Sequence, residues 1–183
     1  SGGYFLPNRL NLPQAKEGEY LTDHLTDRAV NLIHNWKDRP FFIYFPYYTV
    51  HTPIQAKDDL TSDYAARVNP DGIHTNPKYA AMHHSLDESV GRILEALKDT
   101  DLLDRTVIFF TSDNGGLSHK FLKPTDITRN TPLRRGKGSA YEGGVRVPLI
   151  ARWPGVTRPG TICDQPVIST DYFPTILDIT DVR

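Results

Sequence analysis

The stretch Thr106-Val107-Ile108-Phe109-Phe110-Thr111-Ser112-Asp113-Asn114-Gly115-Gly116 decides the reading of this chain. From Thr106 to Thr111 every residue is β-branched or aromatic, and the run breaks off into Ser-Asp-Asn-Gly-Gly. That is the pattern of a buried parallel strand followed by a tight polar turn. In an open α/β sheet, ligands bind just beyond the carboxyl ends of the strands, so Asp113 and Asn114 stand at a candidate rim. Both offer hard oxygen ligands, the kind that calcium or magnesium selects. The same residues also favour a simple turn, and on this stretch alone the two readings stand side by side.

Upstream, the design repeats. Phe41-Phe42-Ile43-Tyr44-Phe45 lies between Pro40 and Pro46, apolar without alternation and short for a helix. It predicts a strand buried on both faces. The run leads into Tyr47-Tyr48-Thr49-Val50-His51-Thr52-Pro53, where His51 is either a turn histidine or a functional group at a strand's end. Between the two strands, Asn76 caps and Pro77 opens a helix with Tyr79, Met82, Leu86, Val90, Ile93 and Leu97 on one stripe. Strand, helix, strand makes a βαβ unit with parallel strands and a right-handed crossover. The ends of Phe41–Tyr48 and Thr106–Ser112 then share one sheet edge, which sets His51 and Asp113–Asn114 on a common rim.

The flanking segments are less regular. Ser1 to Glu19 reads as a loop laid over a surface, broken by Gly2, Gly3, Pro7, Pro13 and Gly18. From Tyr20 a helix is expected, with Leu21, Leu25, Val30, Ile33 and Trp36 on one face and its end forced by Pro40. Ile54 to Asn76 is a long polar loop with a turn at Asn69-Pro70-Asp71-Gly72. His83 and His84 lack metal-ligand spacing and are read as solvated or buttressing, while Asp87, Glu88 and Glu95 form a polar face. Leu117 to Leu133 has no period and carries Lys120, Lys123 and Arg129. Arg134-Arg135-Gly136-Lys137-Gly138 follows, three cations among glycines, which suits an anion or a solvated basic loop. Val147–Arg152 reads as another core strand, Val156–Gly160 as a turn and Val167-Ile168 as a short strand. Thr170-Asp171 caps a last helix carrying Phe173, Ile176, Leu177 and Ile179.

Composition narrows the classes. A chain of 183 residues with 38% hydrophobic content can bury one substantial core. Lys+Arg 21 against Asp+Glu 22 leaves nothing to attract nucleic acid or an anionic membrane, and no apolar run is long enough for a membrane span. The start at Ser1-Gly2-Gly3 is expected of a processed or truncated piece. Cys163, the single cysteine, has neither metal spacing nor an adjacent base.

Several of these segments together resemble the type I, formylglycine-dependent sulfatase family. The residues that carry the likeness are Pro40-Phe41-Phe42-Ile43-Tyr44 with Val50-His51-Thr52-Pro53, the helix around Tyr79–Met82 and Leu86–Leu94, and Thr111–Gly116. Pro132-Leu133-Arg134-Arg135-Gly136-Lys137-Gly138, Tyr141-Glu142-Gly143-Gly144-Val145-Arg146-Val147-Pro148 and Thr170–Thr175 continue it in the same order. The resemblance implies an α/β fold with a mainly parallel sheet flanked by helices, part of an alkaline-phosphatase-like sulfatase catalytic domain. It implies hydrolysis of a sulfate ester, on a sulfated small molecule or a sulfated glycan, with calcium as the metal. Asp113 and Asn114 would be metal ligands, and Lys137 and His51 the catalytic groups at the sulfate and leaving oxygens. Glu142 and Arg146 would be supports. A periplasmic or extracellular location is the family's usual one.

The departures are as informative. The family takes its formylglycine from a C-x-P-S-R-type motif, with further metal-binding aspartates and a G-K-W-H-type segment, and none stands in this sequence. Cys163-Asp164-Gln165-Pro166 does not match. The expectation is a fragment: residues 1–183 as the C-terminal half of a sulfatase catalytic domain, without the nucleophile region or the C-terminal subdomain, and inactive alone. Rival readings are a phosphatase, phosphodiesterase or phosphonate hydrolase of the same superfamily, or a non-catalytic module that binds sulfated glycans.

Overall fold

A computed structural model of the chain describes residues 2–6, 12, 14–69, 72–118 and 127–182. Helix α1 spans Leu21–Trp36, α2 Asp58–Arg67 and α3 Pro77–Asp99. Both start signals of α3 operate: Asn76 Oδ1 accepts the Tyr79 N–H at 3.1 Å, and Pro77 opens the first turn. α1 buries Leu21, Ala29 and Ile33, with Leu25, Val30 and Trp36 half-buried.

The contact between α1 and α3 is made of small, hydroxyl-bearing side chains. Thr22, Thr26, Ser85 and Ser89 are all buried. Thr26 Oγ1 lies 2.5 Å from Ser89 Oγ, Tyr47 Oη 2.8 Å from the same atom, and Thr22 Oγ1 2.5 Å from Thr49 Oγ1. These bonds replace the water that the hydroxyls lose on burial. Only Ser85 Oγ lacks a partner among the described residues. The predicted stripe of α3 holds at Met82 and Leu97, both buried, and at Ile93, packed on the cluster around Leu97; Ala81, Ser85, Ser89 and Ala96 are buried as well, while Leu86 and Val90 stay half-exposed.

Two segments read as loops contribute more than expected. Tyr4 and Leu6, each 3% exposed, join Tyr20, Leu21, Ala56 and Met82 in a core cluster. The chain ahead of α1 is stitched down by Leu21 N–H to Tyr4 O at 2.7 Å and Leu6 N–H to Glu19 O at 2.9 Å. The expected loop from Ile54 to Asn76 contains α2, which buries no residue of its own. Asp58 and Asp59 in its first turn and Arg67 in its last complement the helix dipole, and Leu60 and Tyr64 lean on the same cluster. The Asn69 turn closes with Gly72 N–H on Asn69 O at 2.9 Å; Pro70 and Asp71 lie outside the described residues, as do Lys120 and Lys123.

The expected mainly parallel sheet is not seen among the described residues. Among the described residues the sheet has two strands, β1 (Ile108–Thr111) and β2 (Leu149–Arg152), paired antiparallel with Phe109 opposite Ala151. Among the described residues the connection between them carries only the single turn α4 (Glu142–Val145), without the helix that usually covers a parallel crossover. Residues 41–48 are extended but form no ladder. Phe41 and Ile43 pack on a second cluster around Ile33, Ala96, Leu97 and Leu102, while Phe42 and Tyr44 are 65% and 79% exposed. The segment is thus buried on one face, not two. Val167-Ile168 is likewise no strand, and the last helix, α5 (Tyr172–Ile179), follows a 3₁₀ turn at Ser169–Asp171. Asp171 acts at this start by accepting the Ile168 N–H at 2.8 Å.

Candidate functional site

Two loops interlock at the end of β1. Thr111 Oγ1 donates to Pro148 O at 2.9 Å, fixing the strand end to the entry of β2, and Ser112 Oγ donates to Asn114 O at 2.9 Å. Beyond this turn, Gly115 N–H meets Gly144 O at 3.0 Å and Lys137 N–H meets Gly116 O at 3.1 Å. Gly143 N–H returns to Arg134 O at 3.0 Å, closing the basic loop on itself. Backbone lies against backbone here, which only glycine permits. A Cβ on Gly115 would fall 1.8 Å from Gly143 O, and one on Gly136 would fall 2.2 Å from Gly116 O.

This packing brings the backbone of Lys137 beside the turn that carries Asp113 and Asn114. Asp113 is exposed, and its carboxylate has no hydrogen-bond or ion-pair partner among the described residues. Asn114 is half-buried; its Nδ2 donates to Gly115 O at 3.2 Å, which leaves Oδ1 available. Lys137 is half-buried with no ion pair among the described residues. The donor chemistry fits a hard cation, but only in part. Calcium takes six to eight oxygens, roughly, and no group of three or more His, Cys, Asp or Glu near enough to hold an ion occurs among the described residues.

His51 sits at the end of the extended segment, in a turn closed by His51 N–H on Tyr48 O at 2.8 Å. Tyr4 clamps this turn: its hydroxyl lies 2.5 Å from Tyr48 O and 3.0 Å from His51 O. Burial pushes the Tyr4 phenol up to about 12, against the lowering effect of its hydrogen bonds with the His51 backbone and the Thr49 side chain. His51 Nδ1 lies 2.8 Å from Thr52 O. A carbonyl can only accept, so Nδ1 carries the hydrogen and Nε2 is left to act. No hydrogen bond or ion pair joins His51 to Asp113, Asn114 or Lys137 among the described residues. Glu142 and Arg146, expected as supports, pair with each other at 3.0 Å.

Other histidines buttress. His84 joins Tyr64 Oη at 3.1 Å to Glu88 at 3.3 Å, and Glu88 meets Lys57, which also binds Asp23 at 3.1 Å. His83 bonds Tyr79 O and points to solvent. Cys163 is exposed. Sequence reasoning missed Tyr4 and Asn130. Tyr4 gave no local signal, whereas Asn130, ahead of Thr131-Pro132, at least stood in turn chemistry.

Comparison with known proteins identifies the family to which the whole segment is similar. Residues 3–182 match the family model described as Sulfatase. A sulfatase of Formosa agariphila is 40% identical over 186 residues, covering 94% of this chain and 32% of that protein. Arylsulfatase J of Mus musculus is 32% identical over 165 residues, covering 90% of this chain and 26% of its own length. Ps i-CgsB, crystallised in complex with k-i-k-neocarrahexaose, superposes with a TM-score of 0.79 at 36% identity, over 93% of this chain and 37% of that one. The chain thus spans between 26% and 32% of the two curated relatives' length.

Proposed function

The chain belongs to the sulfatase family, and from that premise we propose that residues 1–183 are the C-terminal half of the catalytic domain of a sulfuric ester hydrolase of alkaline-phosphatase-like fold. The observation that carries this reading is the loop interlock: Lys137, without an ion pair among the described residues, is tied by its backbone to the turn that carries Asp113 and Asn114. A positive charge carried on a loop tied to a turn of hard oxygen ligands suits an ester that bears a sulfate.

Asp113 Oδ and Asn114 Oδ1 would hold part of a calcium shell, and the ion would supply Lewis-acid chemistry toward a sulfate oxygen. Lys137 Nζ neutralises negative charge gathering on the sulfate and bridging oxygens as the S–O bond breaks. His51 Nε2, when protonated, gives its proton to the departing alcohol oxygen. The nucleophile and the other ligands belong to residues outside this chain. The extended segment 41–48 supports that division, since its backbone makes no ladder and Phe42 and Tyr44 lie open. An unpaired, apolar edge of this kind fits a strand of a larger sheet, parallel in the family's manner, completed elsewhere in the protein.

A sulfated glycan is the substrate class we favour, because the similar Ps i-CgsB was crystallised with an oligosaccharide. The test is release of inorganic sulfate from sulfated oligosaccharides by the full-length protein, set against phosphate release from phosphate mono- and diesters. Sulfate release with at most trace phosphate release supports the reading. The reverse pattern identifies the phosphatase or phosphodiesterase alternative, and salt-sensitive glycan binding without turnover identifies a binding module.

A further inference from the structure

Asn130 occupies a position that the proposed chemistry does not use but depends on. Its side-chain amide donates to Gly116 O at 2.9 Å and to Arg135 O at 3.1 Å. The first carbonyl belongs to the turn that carries Asp113 and Asn114; the second lies in the loop that leads into Lys137. Both partners are carbonyls, so the site needs two donors on one nitrogen. A carboxylate of the same shape has none, and a hydroxyl has one.

The surroundings make this bridge specific. Gly116 O also accepts the Lys137 N–H at 3.1 Å, so both of its lone pairs are engaged, one by Asn130 and one by the lysine loop. Arg135 holds a left-handed backbone, φ 66°, a region that side chains other than glycine seldom adopt. The bond from Asn130 to Arg135 O fixes the carbonyl of that residue and so the direction in which the chain enters Gly136 and Lys137. Asn130 is itself anchored: its own carbonyl accepts the Leu133 N–H at 2.8 Å, and Thr128 N–H meets Leu117 O at 3.3 Å.

We infer that Asn130 is a positioning residue that sets the spacing between the Asp113–Asn114 turn and Lys137. This rests on the sulfatase reading above, and the test separates the two. In the full-length protein, sulfate-ester turnover is measured for Lys137→Ala, Asn130→Ala, Asn130→Ser, Asn130→Asp and the Lys137→Ala/Asn130→Ala double variant. Misplacement of a catalytic group by about an ångström costs up to about a hundredfold, so Asn130→Ala should lower kcat by about tenfold to a hundredfold. KM should move less than about threefold, since the group misplaced acts in the transition state. Asn130→Ser, keeping one donor, should fall between wild type and alanine, and Asn130→Asp should be the poorest. In the Lys137→Ala background the loss from Asn130→Ala should shrink to less than about threefold, because the group it positions is gone. If the wild-type protein turns over no sulfate ester, the sulfatase reading fails, and this inference with it; if Lys137→Ala leaves turnover intact, the sulfatase reading stands while the role of Lys137, and this inference, are overturned. If Lys137→Ala is impaired while Asn130→Ala is not, or if the two losses multiply in the double variant, only the inference is overturned. Failure of both Asn130→Ala and Asn130→Ser to fold would show a purely structural role and overturn it as well.

Discussion

The backbone N–H of Lys137 is hydrogen-bonded to the carbonyl of Gly116 at 3.1 Å, so the cation-bearing loop is tied to the turn of Asp113 and Asn114 through main chain alone. Side chains can move at such a junction, but the loops cannot drift apart without breaking bonds that also involve Gly115, Gly143 and Gly144.

The glycines of this junction give the first prediction. Gly115→Ala drives a methyl into Gly143 O and should cost about 1–3 kcal/mol of stability, the usual range for overpacking. Gly91→Ala is the control, on an exposed turn of α3 with nothing within 4 Å of the new Cβ. It should stabilise by about 0.5–1 kcal/mol through helix propensity. Denaturant midpoints of the two variants should move in opposite directions; a Gly115→Ala protein as stable as wild type would refute the interlock.

Tyr4 gives the second. Tyr4→Phe strips a donor from the carbonyls of Tyr48 and His51 and should cost about 1–2 kcal/mol. Because burial raises the Tyr4 pKa from 10.0 to about 12, its contribution is complete below pH 10 and lost as pH climbs toward 12. The unfolded chain gives up that proton first, which favours unfolding in that window. The stability gap between wild type and Tyr4→Phe should therefore be constant at neutral pH and narrow between pH 10 and 12. A gap that stays level across the window would contradict the clamp.

The isolated chain gives the third. Residues 1–183 expressed alone should neither hydrolyse an aryl sulfate nor bind calcium tightly, since two oxygens are far from the six to eight, roughly, of a calcium shell. Calorimetric titration and a sulfate-release assay check both points. Tight one-to-one binding, or turnover free of contaminating enzyme, would show that the missing groups are not needed.

How far the sequence carried these conclusions depends on the kind of order involved. Helices α1 and α3 were legible because their signals are local: apolar spacing, the Asn76 cap, Pro77 and the stop at Pro40. The turn at Asp113–Asn114 and the basic loop at Lys137 were legible as composition, but not their contact, which is backbone packing among glycines and leaves no side-chain pattern. Strand partners were not legible at all. An apolar run such as Phe41–Phe45 announces a strand but not what covers it, and in this chain its outer face is open. α2 escaped because it buries nothing, and the charges at its ends were the only mark it left. The role of Tyr4 is a contact across 44 residues of chain, beyond the reach of any local rule.

The central claim is that Lys137 serves sulfate-ester hydrolysis beside Asp113 and Asn114. Its most direct test is kcat for sulfate release by the full-length protein and by its Lys137→Ala variant, with circular dichroism confirming that both are folded. Loss of one preorganised charge-stabilising donor predicts a fall of about a hundredfold to a thousandfold in kcat. A folded Lys137→Ala protein that releases sulfate at the wild-type rate would contradict the account.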